Sequence, residues 1–313
     1  MNAPVAIFVY NRADNTCQTI NALKANKLAS DTDVYVFSDG GKDEMSWKKV
    51  NEVRSLLHNI KKENDEKNFF KSFNIIERKE NIYLERNIIE GIGYVLEDHD
   101  NIIVLEDDIV TSPFFLPYMN QAFNLYKDDE KVMHVSAFTH LDLPTPEFPE
   151  TYFTPHMSGW GWGTWRNRWH KHFVHYQTED EALQGMSEDD KNAIQYDGAF
   201  TCLKSLKKKP IPWDICWEIA IYKAGGLCLT PHHTLVRNIG LDNGTHFKSY
   251  SWIQRYEYDR KPLQQAIKLT HANPEKDQRI ENRFKEAISD WGIRYTWIGK
   301  IIRYVYNILK KNH

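Results

Sequence analysis

The chain of 313 residues lacks several things whose absence narrows its class. No run reaches the ~18–20 consecutive apolar residues of a membrane-crossing helix. Cysteine is scarce: Cys17, Cys202, Cys216 and Cys228 show no metal-ligand or redox spacing, which excludes a disulfide scaffold. Neither sign of charge dominates, with 40 Lys+Arg against 43 Asp+Glu and a net charge of -3, so no nucleic-acid partner is expected. No internal repeat or low-complexity tract is present. The opening Met-Asn-Ala-Pro-Val-Ala-Ile has no basic stretch followed by a long apolar one, so no secretory leader is expected. With so few cysteines, a reducing cytoplasm is the expected location. The loop after the first apolar run, Tyr10-Asn11-Arg12-Ala13-Asp14-Asn15, contains no glycine, which counts against a glycine-rich phosphate loop.

What is present is a globular composition, 41% hydrophobic and 27% charged, in a chain long enough for one large domain with an appendage or two small ones. Aromatic residues reach 13%, with 10 Trp. Short β-rich runs at 5–10, 34–37, 73–78 and 101–105 alternate with helical spacing at 16–28, 48–61 and 84–97. Asp14 or Asn15 is the expected cap of the first helix. This alternation predicts an α/β fold with a mostly parallel sheet flanked by helices. Further on, the pattern predicts a helix at 117–126, a strand at 131–136 and a Pro-rich loop at 143–155. A Gly- and Trp-dense stretch at 157–169 follows, then a charged surface helix at 179–195, a helix at 215–224, a strand at 227–230 and a loop at 233–246. Beyond Asp290 there is no acidic side chain, and apolar residues recur at helical spacing among Arg294, Lys300, Arg303, Lys310 and Lys311. This basic amphipathic tail fits equally a helix docked on the body and a peripheral contact with the inner face of a membrane.

In parallel sheets, ligands bind off the carboxyl ends of the strands. Asn11, Arg12, Asp39 and the triplet Glu106-Asp107-Asp108 all fall at that edge. Three adjacent acids fed by a buried strand repel one another and raise each other's pKa unless a cation is held there. Their hard oxygens suit Mg²⁺ or Mn²⁺, with substrate phosphates completing the shell and the metal neutralising a diphosphate leaving group. A solvated loop with three surface acids is the plainer reading of the triplet alone.

"PVAIFVYNR", "VYVFSDGGKD", "IIVLEDDIVTSPFFLPYM" and "DICWEIAIYKAGGLCLTP" resemble GT-A-fold glycosyltransferases, bacterial family-2-like enzymes and the N-acetylglucosaminyltransferase I type, over about residues 4–250. The resemblance implies a Rossmann-like GT-A domain at 1–250, with a nucleotide-binding half at 1–110 and an acceptor half at 111–250. A C-terminal helical extension would occupy 251–313. It implies a nucleotide-sugar donor, UDP-sugar first, and a glycan or lipid-linked glycan acceptor. Asn11 and Arg12 would contact base and ribose, Asp39 would accept a hydrogen bond from either, and Arg86 and Asn87 would meet nucleotide or sugar. Glu106-Asp107-Asp108 stands where such enzymes carry their DxD motif. There Asp108 would be the direct metal ligand, and Glu106 and Asp107 would bind hydroxyls or metal-bound water.

An inverting transferase needs a carboxylate to take the acceptor's proton. In family-2-like enzymes it opens a helix, with a glycine eleven residues on and a short strand after. Asp214 has that register to Gly225 and "LCLTP", although Trp213 stands where the usual motif has an acid. Glu218, one helical turn later, is the alternative base. In "SGWGWGTWRNRW", Gly161 lets the backbone approach a ligand closely, and Trp160 and Trp162 are candidates for a sugar platform. "VRNIGLDNGTHF" resembles a loop that closes over the diphosphate; Arg237 would fork onto phosphate oxygens. His246 fits a late metal or phosphate contact as well as an ordinary surface histidine. A sugar-nucleotide nucleotidyltransferase, a non-catalytic glycan binder on the same fold and a retaining transferase are the alternatives.

Overall fold

The computed structural model describes residues 2–141, 148–198, 200, 202–240 and 261–285. Its centre is β1, Val5–Val9, in which all five residues are buried. Val5, Ile7 and Val9 enter one core cluster and Ala6 and Phe8 another, as expected of a strand whose side chains alternate between two covered faces. After β1 come α1 (Ala13–Lys24), β2 (Asp33–Ser38), α2 (Glu44–Lys67), β3 (Ser72–Glu77), α3 (Tyr83–Asp98) and β4 (Asn101–Glu106). These four strands pair in parallel in the order β3-β2-β1-β4. β4 repeats the alternation of β1: Ile103 and Leu105 face one cluster, Ile102 and Val104 the other.

The second half adds β5 (Ile109–Thr111), α4 (Phe115–Leu125), β6 (Val132–Ser136), β7 (Thr151–Thr154), β8 (Trp162–Trp165) and α5 (Arg166–His172). It continues with α6 (Glu179–Leu183), α7 (Glu188–Ile194), α8 (Trp213–Lys223), β9 (Leu227–Pro231) and β10 (Val236–Asn238). The sheet extends as β4-β8-β6-β9-β7, with β6 and β9 parallel and the pairs β4–β8, β6–β8 and β7–β9 antiparallel. β5 and β10 form a separate antiparallel pair. The α/β expectation of a mostly parallel sheet flanked by helices is met.

Several local expectations are corrected. α1 begins at Ala13 without a side-chain cap, so neither Asp14 nor Asn15 caps it. α2 starts at Glu44, ahead of its apolar stripe, because Asp43 and Ser46 form a capping box. The expected Pro-rich loop contains β7, whose Tyr152 lies opposite Thr230 of β9. The expected helix at 179–195 is two helices, each with its own capping box and separated at Gly185, where φ is +81°. β10 lies inside the expected loop at 233–246, whose residues 241–246 are outside the described residues. Of the extension, 261–277 forms no regular element and 278–285 is helical. Ile267 and Leu269 enter the same cluster as β1, and Ser112 Oγ donates to Leu263 O at 2.5 Å. The basic tail lies outside the described residues. No helix among the described residues is long and apolar enough to cross a membrane.

Much of the tryptophan content is core. Trp162 has no exposed surface and lies between His134 (centroids 5.0 Å, 10°) and Trp213 (5.1 Å, 14°). His134 is fully buried, and its Nδ1 accepts from Trp217 Nε1 at 3.3 Å. Burial disfavours the imidazolium and lowers the His134 pKa to about 3. An unfolded chain binds a proton there below pH ~6.5 while the folded one does not, so stability falls as pH drops from ~6.5 toward ~3. Urea titrations should show this site costing up to about 2 kcal/mol between pH 6.5 and 5, with a shallower dependence in His134→Gln. Equal slopes would show that the acid sensitivity arises elsewhere.

Candidate functional site at the carboxyl edge of the sheet

β4 ends on Glu106, and the turn into β5 carries Asp107 and Asp108. Asp107 and Asp108 are buried, at 3% and 8% exposure. Arg12, at the start of α1, reaches both. Its Nε donates to Asp107 Oδ2 at 3.2 Å, its Nη2 to Asp107 Oδ1, and Nη2 lies 2.9 Å from Asp108 Oδ2. Thr19 Oγ1 of α1 donates to Asp107 O at 2.9 Å. The antiparallel β5–β10 pair brings the chain after β10 over the same turn, where Ile239 N donates to Asp108 O at 2.8 Å. A Cβ at Gly240 would stand 2.2 Å from Asp108 Oδ2, so this close approach needs glycine.

One guanidinium faces three carboxyls, and their protonation shows the imbalance. Burial, then Asp108 and Asp107, raise the Glu106 pKa to about 8, with Asp214 adding in the same direction and Arg12 opposing. Burial raises Asp107 to about 6 although Arg12 pulls it down. Burial acts to lower the Arg12 pKa, but its two carboxylate partners outweigh that and shift it upward. No hydrogen bond from the described residues reaches the Glu106 carboxyl. Surplus negative charge on hard oxygen donors fits a divalent cation in charge and ligand type. Glu106 and Asp108 are the residues that would hold it, because Arg12 already engages both oxygens of Asp107. No cluster of three or more His, Cys, Asp or Glu with ligand geometry occurs among the described residues.

The remaining expected residues divide into those at this edge and those engaged elsewhere. Asn11 is half-buried beside Arg12. Asp39 is 4% exposed and ties β2 to the loop before α3: its Oδ1 accepts from Gly40 N and Ile82 N, and its Oδ2 from Asn81 Nδ2, each at 2.9 Å. Asn87 is buried, accepting from Arg78 Nε at 3.1 Å and donating to Phe37 O at 3.5 Å. Arg86 is exposed and paired with Glu90, one turn along α3, at 2.6 Å. Both side chains of the expected pair 86–87 are therefore committed within or around α3.

Asp214 is half-buried in the first turn of α8, its Oδ1 accepting from Ile215 N at 2.9 Å. Its charge is felt at Glu106, which brings the expected base and the acidic triplet into one electrostatic neighbourhood. Glu218 is 4% exposed and engages both its oxygens, one with His156 Nδ1 and the other with Met157 N at 2.9 Å. Both oxygens of Glu218 are thus engaged inside the protein. Trp160 is half-buried against Phe138, with centroids 4.6 Å apart. Gly161 has φ +64°, and a Cβ there would meet Val236 at 2.8 Å. Trp162 presents no face to a ligand because it is sealed between His134 and Trp213. Arg237 is exposed on β10 opposite Val110. His246 lies outside the described residues. Sequence reasoning missed Asn81, His156 and the pairing of Arg12 with the acids; a lone Arg in the first loop signals a cation without indicating what it meets.

No family model and no curated protein matches the chain. Among solved structures it is similar to GalNAc-T7 in complex with UDP, GalNAc and Mn²⁺, at 12% identity and TM-score 0.44, covering 74% of this chain and 43% of that one. It is similar to S. aureus TarS at 10% identity and TM-score 0.43, covering 75% of this chain and 36% of that one. It is also similar to the mannosyltransferase PcManGT from Pyrobaculum calidifontis in complex with GDP-Man and Mn²⁺. There the identity is 12% and the TM-score 0.39, covering 72% of this chain and 74% of that one. The chain thus spans less than half the length of the first two.

Arg12→Met removes a guanidinium that offsets the triplet. It should destabilise the protein by about 2 kcal/mol at pH 8, a value reduced from that of a fully buried pair because Arg12 is partly exposed. The deficit should shrink toward pH 5 as the orphaned carboxyls protonate, and urea midpoints at the two pH values check this. A loss independent of pH would mean that Arg12 acts through packing alone.

Proposed function

We propose that the chain is a glycosyltransferase that moves a sugar from a nucleoside-diphosphate sugar to a hydroxyl of a glycan or lipid-linked glycan. The observation carrying this reading is the undercompensated acidic turn after β4, close enough to Asp214 for its charge to raise Glu106. Asp108 and Glu106 would hold a divalent cation, Mn²⁺ or Mg²⁺, which would supply charge neutralisation for the diphosphate leaving group. Arg12 holds Asp107 and so sets the acidic turn against α1, while Asn11 and Asp39 line the nucleotide side of the edge. Arg237, exposed on β10, and His246 are assigned to the diphosphate side. Trp160 and Gly161 line the sugar side.

Asp214 is the base of an inverting transfer. The acceptor oxygen bonds to the anomeric carbon from the face opposite the diphosphate, and its proton passes to an Asp214 oxygen. The bond from the anomeric carbon to the phosphate oxygen breaks, and its electron pair leaves with the nucleoside diphosphate. UDP is the first donor nucleotide to test and GDP the second. The organisation that goes with this reading is a nucleotide half at 1–110 and an acceptor half at 111–250, with the extension at 251–313 and hexosyl or N-acetylhexosaminyl transfer as its activity.

Thermal stabilisation by UDP, GDP and dTDP, with and without Mn²⁺, tests the reading. Mn²⁺-dependent stabilisation by one nucleotide is expected, and it should be lost in Asp108→Ala. Absence of binding by any nucleotide to the folded protein would overturn the assignment. Asp214→Asn should keep the Mn²⁺-dependent nucleotide shift while lowering turnover of the matching donor about 100-fold or more, the scale of a lost general base. Wild-type turnover in that variant would remove Asp214 as the base.

A further inference from the structure

Glu218 sits one helical turn after Asp214, with one oxygen on His156 Nδ1 and the other on Met157 N. The His156 ring is enclosed by three aromatic rings. Phe284 stacks on it (5.2 Å, 6°), Tyr196 lies tilted (4.6 Å, 37°) and Phe200 meets it edge-on (5.1 Å, 80°). Tyr196 OH donates to Glu281 Oε2 at 2.9 Å, and Lys285 pairs with Asp197. Glu281, Phe284 and Lys285 all belong to the helical segment 278–285. The C-terminal extension is thereby connected, through ring contacts on His156 and the hydrogen bond of Tyr196 to Glu281, to the helix that carries Asp214.

Several costs concentrate at this one place. A buried polar pair does not outperform well-packed apolar residues as a source of stability. His156 Nε2 and Glu281 Oε1 are buried without hydrogen-bond partners, and each such atom costs free energy. Burial raises the Glu281 pKa. Tyr196 and Asp197 both adopt positive φ, 45° and 55°, a strained conformation for residues with a Cβ. The apolar cluster of Leu141, Phe148, Tyr152, Ile280 and Phe284 already packs these elements together without such costs. What the polar network adds is direction: Glu218 fixes His156 and Met157, and so the start of the segment running to Trp160, at a set position on α8.

We propose that Glu218 and His156 are positioning residues for the transfer reaction, and that segment 278–285 acts on the acceptor side of the site through them. The proposal rests on the reading of Asp214 as the base. Glu218 sets the distance between Asp214 and the Trp160 segment, and Glu281 and Phe284 hold His156 in the orientation that Glu218 requires. The nucleotide side of the sheet edge is built from other elements and does not depend on this network.

The test uses the full chain with Glu218→Gln, Glu281→Gln, their double variant, Phe284→Leu and a control, Val53→Ala, in the distant core under α2. Release of UDP from UDP-glucose and UDP-N-acetylglucosamine gives kcat and KM, and UDP with Mn²⁺ gives the thermal shift. Each single variant should lower kcat about tenfold with donor KM and the UDP shift within about twofold of wild type, the pattern of lost transition-state positioning. The double variant should be no worse than either single, because the residues act through one connection. Phe284→Leu, at the outer end of the network, should reproduce the phenotype should Glu218→Gln fail to fold. Wild-type kcat in the single variants, multiplicative losses in the double, or an equal kcat loss in Val53→Ala would overturn the proposal. No binding of UDP, GDP or dTDP by the wild type would instead overturn the glycosyltransferase reading. An inactive Asp214→Asn beside fully active network variants would sink this inference alone.

Discussion

The organisation of the site follows from one constraint: a single guanidinium is set among three carboxyls at the end of a buried strand. β4 must be apolar to lie between two helical layers, and the chain has to leave it into a turn. Placing Glu106, Asp107 and Asp108 at that exit puts concentrated negative charge where water is scarce. Arg12 offsets part of it, and burial beside Asp108 and Asp107 pushes the Glu106 pKa up to about 8. Arg12 and the acids therefore hold α1, the β4–β5 turn and the chain after β10 together, and Gly240 allows that chain to lie against Asp108.

Around this edge the polar groups divide between holding the backbone and facing the site. Asp39, Asn81 and Asn87 spend their hydrogen bonds on backbone and neighbouring side chains, so they fix the shape of the chain between β2 and α3. Glu218 does the same beside α8. Asp214 differs: it stays half-buried at the mouth of α8, and its field reaches Glu106. Two carboxylates one turn apart on one helix thus have separate environments, one enclosed by His156 and Met157 and the other at the edge. Environment, more than residue type, separates an acid that can exchange a proton with a substrate from one that orients structure.

The tryptophan-rich middle of the chain shows how one composition serves two ends. Trp162 and Trp213 stack in the core with His134, while Trp160, two residues before Trp162, lies half-buried against Phe138. Trp160 precedes β8, and Gly161, with φ +64°, turns the chain between the two rings. A count of aromatic residues therefore signals a large core and a ligand surface equally well until the strand register is known.

Local pattern was enough to read the alternating strands and helices of the first half, because period-two and period-3.6 burial are written into consecutive residues. The same pattern put the acidic triplet at a strand end, while Asp214 was marked by the resemblance to family-2-like enzymes. It was silent on β7, β8 and β10, short strands whose pairing compensates for weak local signal, and on the break at Gly185. It gave no sign that Arg12 pairs with Asp107 or Glu218 with His156. The sequence by itself determined which segments are strands of a parallel core and which acids end them. Only the tertiary structure decided that Arg12 closes on Asp107, 95 residues away, and that Glu218 closes on His156, 62 residues away. Such pairings depend on how separate segments pack together, and no period within either segment encodes them.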